Sequence, residues 1–300
     1  MPSTFAGHEL YSKKALKVLP AQLAFLGAFS TDISGEAIGR SKSVDVPLVE
    51  MDAAGTFNRT SNNFARPAGT PKTAKVTFGD PIITGFAVTA DQASKIDKAF
   101  WEGKAELNMT SVAASASTAV TDLVTKANFD KAVTSVGASS AFTKSGVAKI
   151  AAAIENTTNK LRVRFSTLVL SGEYFYALLS GLDANVYGGT EAIRGGVIPG
   201  LFGFRKVMTL PGLSTPGFVC EPSCIAFAAR GFRPADDRPY NVVRELKEPE
   251  SGLTLTLVEY PDGPSGDLSE SVTTRIGASV GDGGALVRLV SGSPDSSEAP

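Results

Sequence analysis

The pattern of apolar and polar positions is clearest between Val44 and Thr89, where it predicts a long β-hairpin. The outgoing arm, Val44–Met51, and the returning arms, Lys75–Phe78 and Ile82–Thr89, alternate apolar with polar or small residues, as half-buried strands do. The tip, Ala54–Asn63, has too few apolar residues to pack a core of its own. Because an isolated hairpin is marginal in water, something must cover it, and we expect another copy of the same chain. The hairpin therefore points to assembly rather than catalysis.

A long helix is predicted after the hairpin, because the spacing of the apolar residues changes from alternation to a helical period. Thr89 or Asp91 can cap its first turn, since a short side-chain oxygen accepts the amide hydrogens that lack partners there. We place its end near Lys126, with a break at 108–111 left open. Trp101 is interpreted as a core or interface residue on this helix. The apolar face consists of Ile96, Ala99, Phe100, Gly103, Leu107 and, less regularly, Val112.

The rest of the chain mixes helices and strands without the regular alternation of a doubly wound sheet, which predicts an α+β fold. A second helix over Ser145–Asn156 has one apolar face, and Gly188–Gly217 is divided by glycine and proline turns. A short helix is predicted at Gly172–Ser180. Strands are predicted at Leu161–Phe165, Thr167–Leu170, Leu253–Tyr260, Val272–Ile276 and Ala285–Val290.

The N-terminal 43 residues are interpreted as an arm that contains a short helical piece. Lys13 and Lys14 precede a mostly apolar run and imitate a signal peptide. Lys17, Pro20 and Gln22 interrupt that run, so we favour an amphipathic arm. No apolar run reaches the roughly 18 residues that a membrane span needs.

Composition excludes some classes of function. The chain has 300 residues, enough for one large domain or two modest ones, with 43% apolar residues to fill a core. The formal net charge is −1 and no long basic run is present. Tight nonspecific binding to nucleic acid, which depends on neutralising phosphates, is therefore not expected.

The sequence contains no constellation typical of catalysis, so we expect neither an enzyme nor a cofactor. Cys220 and Cys224 are interpreted as buried free thiols rather than a metal site, because a second pair of ligands is missing. His8 is the only histidine and lies in the predicted arm, which argues against a serine or cysteine nucleophile with a histidine base. Glycine-rich turns around Gly200 lack the Gly-Lys-Ser/Thr of a phosphate loop.

Four stretches, taken in order, resemble one known family. They are Val44–Thr89, Asp91 to about Lys126, Leu161–Leu179, and Gly195–Val207 continued by Pro222–Arg230. In this order they are similar to the extended loop, the spine helix, a strand followed by a helix with a tyrosine and a leucine pair, and the axial domain of the major capsid proteins of tailed bacteriophages. These proteins share the Hong Kong 97-type capsid fold.

The resemblance implies a division of the chain into six parts. The chain departs from the best-studied members of the family in showing no long N-terminal segment for a fused scaffold, so scaffolding is expected to be either a separate protein or absent. The parts are an N-terminal arm (1–43), an extended loop (44–90), a peripheral domain with the spine helix (91–150), an axial domain (151–245), returning peripheral strands (246–290) and a disordered tail (291–300).

The function implied by the resemblance is a coat protein whose hexamers and pentamers form the icosahedral head around double-stranded DNA. The implied partners are other copies of the chain, portal, scaffolding or decoration proteins, and DNA bound without sequence specificity, in a virion assembled in the bacterial cytoplasm and not in a membrane. An encapsulin-like nanocompartment shell and a soluble enzyme are the alternatives. Expected contact residues are Phe57, Asn58, Arg59 and Phe64 in the loop, and Arg194, Leu201, Phe202 and Arg205 in the axial domain.

Overall fold

A computed structural model of the chain describes residues 3–34, 42–49, 60, 72–89, 92, 96–134, 136–156, 161, 163–182, 196–232, 242–247, 252–262 and 267–291. Within these ranges helices and strands are mixed along the chain, as the α+β prediction requires. The α-helices are α1 (Ser3–Gln22), α2 (Lys98–Thr121), α3 (Lys144–Asn156) and α4 (Gly172–Ser180). The first strands are β1 (Ser30–Ser34), β2 (Ser43–Pro47), β3 (Thr73–Thr77), β4 (Ile82–Val88), β5 (Ala132–Val133), β6 (Thr167–Leu170) and β7 (Val197–Leu201). The remaining strands are β8 (Phe204–Thr209), β9 (Gly217–Cys220), β10 (Ile225–Arg230), β11 (Val242–Lys247), β12 (Thr254–Asp262), β13 (Asp267–Val280) and β14 (Leu286–Leu289).

The strands form two six-stranded sheets and one separate hairpin. The first sheet has the order β1-β10-β13-β12-β11, and β4 also pairs with β13. The second sheet has the order β5-β14-β9-β6-β8-β7. Strands β2 and β3 pair antiparallel with each other. The predicted axial segment, 151–245, therefore contributes strands to both sheets, because β10 and β11 lie in the first.

Three adjacent strands of the second sheet, β14, β9 and β6, are buried on both faces, which explains why they are nearly uniform apolar runs. Every residue of β6, β9 and β14 is buried. Val169 and Phe218 face a core that also contains α1 and α2, whereas Leu168, Val219 and Val287 face a second core with α3 and α4.

Helix α1 packs along α2 instead of forming a free arm. Tyr11, Ala15 and Leu19 of α1 are fully buried in the same core as Ala105 and Met109 of α2. Small residues on the facing surfaces let two helices approach closely. Within the predicted arm, Leu10 to Ile33 pack on their own chain, and β1 pairs in parallel with β10.

Strand β1 is fixed to the first sheet by an ion pair at its end. Arg230 Nη2 donates to Asp32 Oδ2 at 2.7 Å, and its Nη1 donates to the Asp32 backbone oxygen at 2.7 Å. The Arg230 side chain is 6% exposed and the Asp32 side chain 30%, so the pair is partly shielded from water, and its charge-assisted hydrogen bonds are stronger than neutral ones.

The long helix is present, but its start, its buried face and its end differ from the prediction, since it ends at Thr121 and not near Lys126. It begins after Asp97, whose carboxylate accepts from the Phe100 amide, and it continues through 108–111 without a break. Trp101 is buried, as predicted, whereas Leu107 is 65% exposed. Val112 is buried, as predicted, but most of the predicted apolar face was wrong, because small and polar residues supply about half of the buried face. Its members are Trp101, Ala105, Asn108, Met109, Val112, Ala113, Ala116, Ser117 and Val120.

Most predictions for the later elements are confirmed. Helix α3 buries Val147, Ile150, Ala151 and Ile154, and α4 has the predicted bounds. The predicted strand at Leu161–Phe165 is wrong, because Val163–Phe165 form a 3₁₀ turn. The C-terminal strands are present, and the strand predicted at Val272–Ile276 is the middle of the longer β13. Of the predicted disordered tail, residues 292–300 lie outside the described residues.

A buried polar network joins α1, α2 and β4, and it makes stability depend on pH. Asn108 Nδ2 donates to Tyr11 Oη at 2.8 Å, and Thr84 Oγ1 donates to Asn108 Oδ1 at 3.1 Å. Burial, with a smaller contribution from the charge of Glu270, raises the pKa of Tyr11 well above its ordinary value of 10.0. Above that pH the unfolded chain releases the phenolic proton while the folded chain keeps it, so the free energy of unfolding falls as pH rises.

Replacing Tyr11 with phenylalanine is expected to lower stability near neutral pH and to weaken this alkaline loss. The substitution leaves the Asn108 amide without its acceptor, which costs about 1–2 kcal/mol. Urea denaturation at about pH 8 and about pH 11 measures both effects, because the phenol titrates between these values when unfolded. Tyr176→Phe is the control, since Tyr176 is 64% exposed. An unchanged slope of stability against pH in Tyr11→Phe would contradict the assignment.

Candidate assembly surfaces

The base of the β2–β3 hairpin lies on the outer face of the first sheet, opposite α1 and α2. Val46, Val76 and Phe78 are buried against Ala226 and Ala228 of β10. Burying a valine or phenylalanine side chain stabilises by roughly 1.5–3 kcal/mol, so the base is firmly attached. The expectation that another copy covers the hairpin is corrected for this base, which its own subunit covers.

Only the first returning arm of the predicted hairpin belongs to it. Val44 pairs with Val76, and Val46 pairs with Ala74. The second predicted returning arm, Ile82–Val88, pairs with β13 in the first sheet. Backbone bonds from Leu48 N to Lys72 O and from Phe78 N to Lys42 O continue the pairing at both ends of the hairpin base.

The hairpin packs over a slot in the first sheet, which exists because Gly277 has no side chain. Gly277 of β13 lies opposite Ala228, and a Cβ at Gly277 would stand 2.7 Å from Val76 Cγ1 and 2.9 Å from Thr77 O. Because real Cβ atoms do not approach other atoms so closely, the absence of a side chain at Gly277 is what lets the hairpin lie flat on the sheet.

The predicted contact residues of the loop cannot be placed. Phe57, Asn58, Arg59 and Phe64 lie outside the described residues, and the prediction for them stays a prediction. Thr60 is described and is exposed.

The turn between β7 and β8 forms a second surface. Leu201 pairs with Phe204 across a two-residue loop in which Phe202 has φ +48° and Gly203 has φ +87°. Positive φ at both central positions is the geometry of a type I′ hairpin turn, whose backbone twist matches that of paired strands. Glycine adopts this conformation freely, whereas a bulky aromatic residue adopts it at a cost.

The turn separates the predicted axial contact residues. Phe202 is 44% exposed and Arg205 is also exposed, while Leu201 is 2% exposed and belongs to the core between the second sheet, α3 and α4. Arg205 is held at its backbone by a bond from its amide to Ser166 O at 3.0 Å. Leu201 is therefore a core residue of the subunit, and Phe202 and Arg205 are presented to solvent. Arg194 lies outside the described residues.

Replacing Phe202 with asparagine is expected to raise the free energy of unfolding of the subunit by roughly 0.5–1 kcal/mol, because asparagine tolerates positive φ better than phenylalanine. Thermal or urea denaturation of unassembled protein measures the gain. Tyr176→Asn is the matched control, since it removes an aromatic ring from a helix and relieves no positive φ. A loss of stability in Phe202→Asn would show that the ring packs on its own subunit.

Other exposed apolar side chains were not singled out from the sequence as contact residues. Large apolar side chains with most of their surface exposed are Val49, Ile83, Leu107 and Tyr176. Single exposed apolar residues are ordinary on protein surfaces. The sequence pattern predicts other places for two of them: Leu107 on the buried face of the long helix and Ile83 in the hairpin.

The described residues contain no cluster of side chains that could hold a metal ion. Among them no group of three or more histidine, cysteine or acidic side chains lies close enough together to hold a metal ion. Cys220 and Cys224 are buried free thiols, as predicted. Burial, followed by the neighbouring Cys220, raises the pKa of the Cys224 thiol, which makes it unreactive. No α-helix in the described ranges combines the length and apolar character needed to cross a bilayer.

Comparisons with known proteins give structural likeness only. No family model and no curated protein matches the chain. Among solved structures it is similar to the capsid of the cyanophage P-SCSP1u, with 10% identity, 88% of each chain covered and a TM-score of 0.48. It is also similar to the capsid of a native GTA particle, with 13% identity, 91% of this chain and 90% of that chain covered, and a TM-score of 0.48.

A third similar structure is a virus-like particle from Pyrococcus furiosus, with 12% identity, 91% of this chain and 97% of that chain covered, and a TM-score of 0.45. At TM-scores of 0.45 to 0.48 these likenesses carry no argument of their own. The function of the chain is therefore inferred from its own architecture.

Proposed function

We propose that the chain is the major capsid protein of a tailed bacteriophage, which assembles into hexamers and pentamers and forms an icosahedral head around double-stranded DNA. The observation that carries the proposal is the β2–β3 hairpin. Its strands pair with each other, and within the described residues they join neither sheet. Its base is clamped on its own subunit by the contacts with Ala226, Ala228 and Gly277.

A hairpin with a fixed base can act as an arm toward a neighbouring subunit. The paired strands β2 and β3 alone would be marginal in water, so a hairpin of this kind is stabilised by a covering surface. Residues 50–71 connect the two strands and include the proposed contacts Phe57, Asn58, Arg59 and Phe64. In this proposal they lie over the neighbouring copy.

The second sheet supplies the other proposed contact. Its β7–β8 turn presents Phe202 and Arg205 to solvent. An aromatic residue held at positive φ is a cost to the isolated subunit, and such costs concentrate at functional positions. In the proposal the turn lies near the axis of each capsomer, together with Arg194, and the ring of Phe202 is buried between subunits.

The charge of the chain fits a container for DNA. A formal net charge of −1 gives little attraction to phosphates, so the shell would enclose DNA without holding it. The further partners in this proposal are portal, scaffolding or decoration proteins of the same virion. The location is the virion capsid, built in the cytoplasm of the bacterial host.

Negative-stain electron microscopy of the purified protein, on fractions pelleted through a density gradient, tests the proposal. Closed shells, tubes or capsomer rings are the expected result. Protein that stays as single subunits alone, with a crowding agent and in extracts of its native source, where any separate scaffolding protein is present, would contradict it. Enclosed nucleic acid in particles from the native source would distinguish a phage head from a nanocompartment shell, whose contents would be protein.

A further inference from the structure

The base of the hairpin meets the chain at an unusual junction, where a single buried hydroxyl bridges three segments. Ser30, the first residue of β1, is 1% exposed. Its Oγ donates to Pro222 O at 2.9 Å and accepts from the Val49 amide at 3.0 Å. Ser30 thus links the N-terminal segment, the turn before β10 and the outgoing end of the hairpin.

The two short connecting segments between the sheets, called passages below, meet at the same junction. Residues 221–224 lead from β9 in the second sheet to β10 in the first, and residues 281–285 lead from β13 in the first sheet to β14 in the second. They are bonded to each other from Gly281 N to Cys224 O at 2.8 Å, from Asp282 N to Ser223 O at 2.8 Å and from Glu221 N to Ala285 O at 2.9 Å.

The passages are also in close contact. A Cβ at Gly281 would stand 2.2 Å from Ser223 O, so the two backbones touch directly. A movement of one sheet relative to the other must therefore shift both passages together.

The hairpin rests on the second passage as well as on Ser30. Leu48 Cδ2 lies 3.0 Å from the position that a Cβ of Gly281 would take. Lys72 Nζ lies 4.0 Å from Asp282 Oδ2, and Leu48 N donates to Lys72 O at 2.8 Å. Both strands of the hairpin base are therefore tied to the place where the sheets are joined.

We infer that this junction couples the direction of the hairpin to the angle between the two sheets, with Ser30 as the positioning residue that transmits the change. The inference rests on the proposed function, because a shell built from hexamers and pentamers places the same subunit at two kinds of position. A small change in the angle between the sheets moves Pro222, and the hydroxyl of Ser30 carries that movement to Val49. The direction of the hairpin is then set by the angle between the sheets of its own subunit and is not adjusted independently to each neighbouring subunit.

Distance measurements between pairs of spin labels test the coupling. In one double variant, Lys75→Cys with Glu173→Cys, the distance between the labels gives the position of the hairpin relative to the second sheet, on which α4 packs. In the other, Lys247→Cys with Glu173→Cys, the distance gives the position of the first sheet relative to the second. These three positions are exposed, whereas Cys220 and Cys224 are buried and will not be labelled in the folded protein. Full-length labelled protein is measured as unassembled subunits, or diluted with unlabelled protein in shells.

Ser30→Ala is expected to broaden the Lys75–Glu173 distance distribution and to leave the Lys247–Glu173 distribution unchanged. The Val49 amide should exchange its hydrogen about five- to tenfold faster, which corresponds to the loss of one ordinary hydrogen bond. Ser115→Ala is the matched control, because the Ser115 hydroxyl bonds only to the backbone of its own helix, at Ser111 O. Wild-type widths for both label pairs, or equal broadening of both, would overturn the inference.

The experiments distinguish a failure of the inferred coupling from a failure of the proposed function. If the chain forms no particles under any condition, the proposed function fails while the label distances still report the junction. If shells form and Ser30→Ala changes neither the distances nor the size distribution of the particles, the proposed function stands and the coupling is wrong.

Discussion

Deleting residues 55–66 is expected to leave a folded subunit that no longer closes into shells. The deletion removes the proposed loop contacts Phe57, Asn58, Arg59 and Phe64. It keeps the base of the hairpin, where Val46, Val76 and Phe78 are buried against β10. Because these buried contacts hold the hairpin on the subunit, the melting temperature should change little. Circular dichroism and thermal denaturation check folding, and electron microscopy of pelleted fractions checks assembly.

A variant of equal length separates the loss of contacts from the shortening of the loop. Replacing residues 55–66 with twelve alternating glycine and serine residues keeps the reach of the segment and removes its side chains. This variant should also fail to assemble if the side chains make the contacts. Closed shells from the deletion, in yield equal to wild type, would overturn the assignment of the hairpin as an assembly arm.

Gly277→Val is expected to push the hairpin off the first sheet and to prevent assembly. The valine side chain would meet Val76 Cγ1 and the backbone oxygen of Thr77, which stand 2.7 Å and 2.9 Å from its Cβ. Overpacking of this kind costs about 1–3 kcal/mol, comparable to the burial free energy of one valine of the hairpin base. Hydrogen exchange of the Val46 and Val76 amides, limited proteolysis and particle yield measure the result.

Gly79→Val is the control for this substitution. Gly79 lies in the chain between β3 and β4, close to the hairpin, and a Cβ there meets nothing within 4 Å. It should assemble as wild type. Shells from Gly277→Val with wild-type yield and unchanged protection of the hairpin amides would show that the slot at Gly277 is not needed.

Elements whose burial is set by their own sequence were predicted well. Helix α3 has large apolar residues on one face, and the same four residues are buried in the structure. Helix α4 and strand β6 are bounded by the turn residues that separate them, and their limits match. In each case local periodicity and tertiary burial point to the same face.

Elements whose environment is set by distant residues were predicted poorly. Strand β4 was read as part of the hairpin, because alternation identifies a strand but does not identify its partner. Its partner, Leu268–Thr274, is far away in the sequence. The buried face of α2 was missed for a related reason: Asn108 is buried only because Tyr11 and Thr84 satisfy its amide.

The sequence predicts the β7–β8 turn but not which of its residues are buried. The turn containing Phe202 was identified from its glycine, but neighbouring residues in a tight turn point in different directions, which sequence alone does not resolve. Leu201 therefore lies in the core and Phe202 is exposed. The slot at Gly277 was not predicted, because a glycine within a strand becomes informative only when the segment packed above it is known.

The pairing of β1 with β10 has a consequence for how the subunit is made. Ser30 pairs with Ala226, and Arg230 closes on Asp32. During synthesis from the N-terminus, β1 has no partner strand until most of the chain has been translated, and closure of so long a loop is slow. Packing of the hairpin base on the first sheet is also delayed, because Gly277 is translated later still. A partly translated chain therefore cannot hold the hairpin in place. The subunit can join other subunits only after translation of the polypeptide is complete.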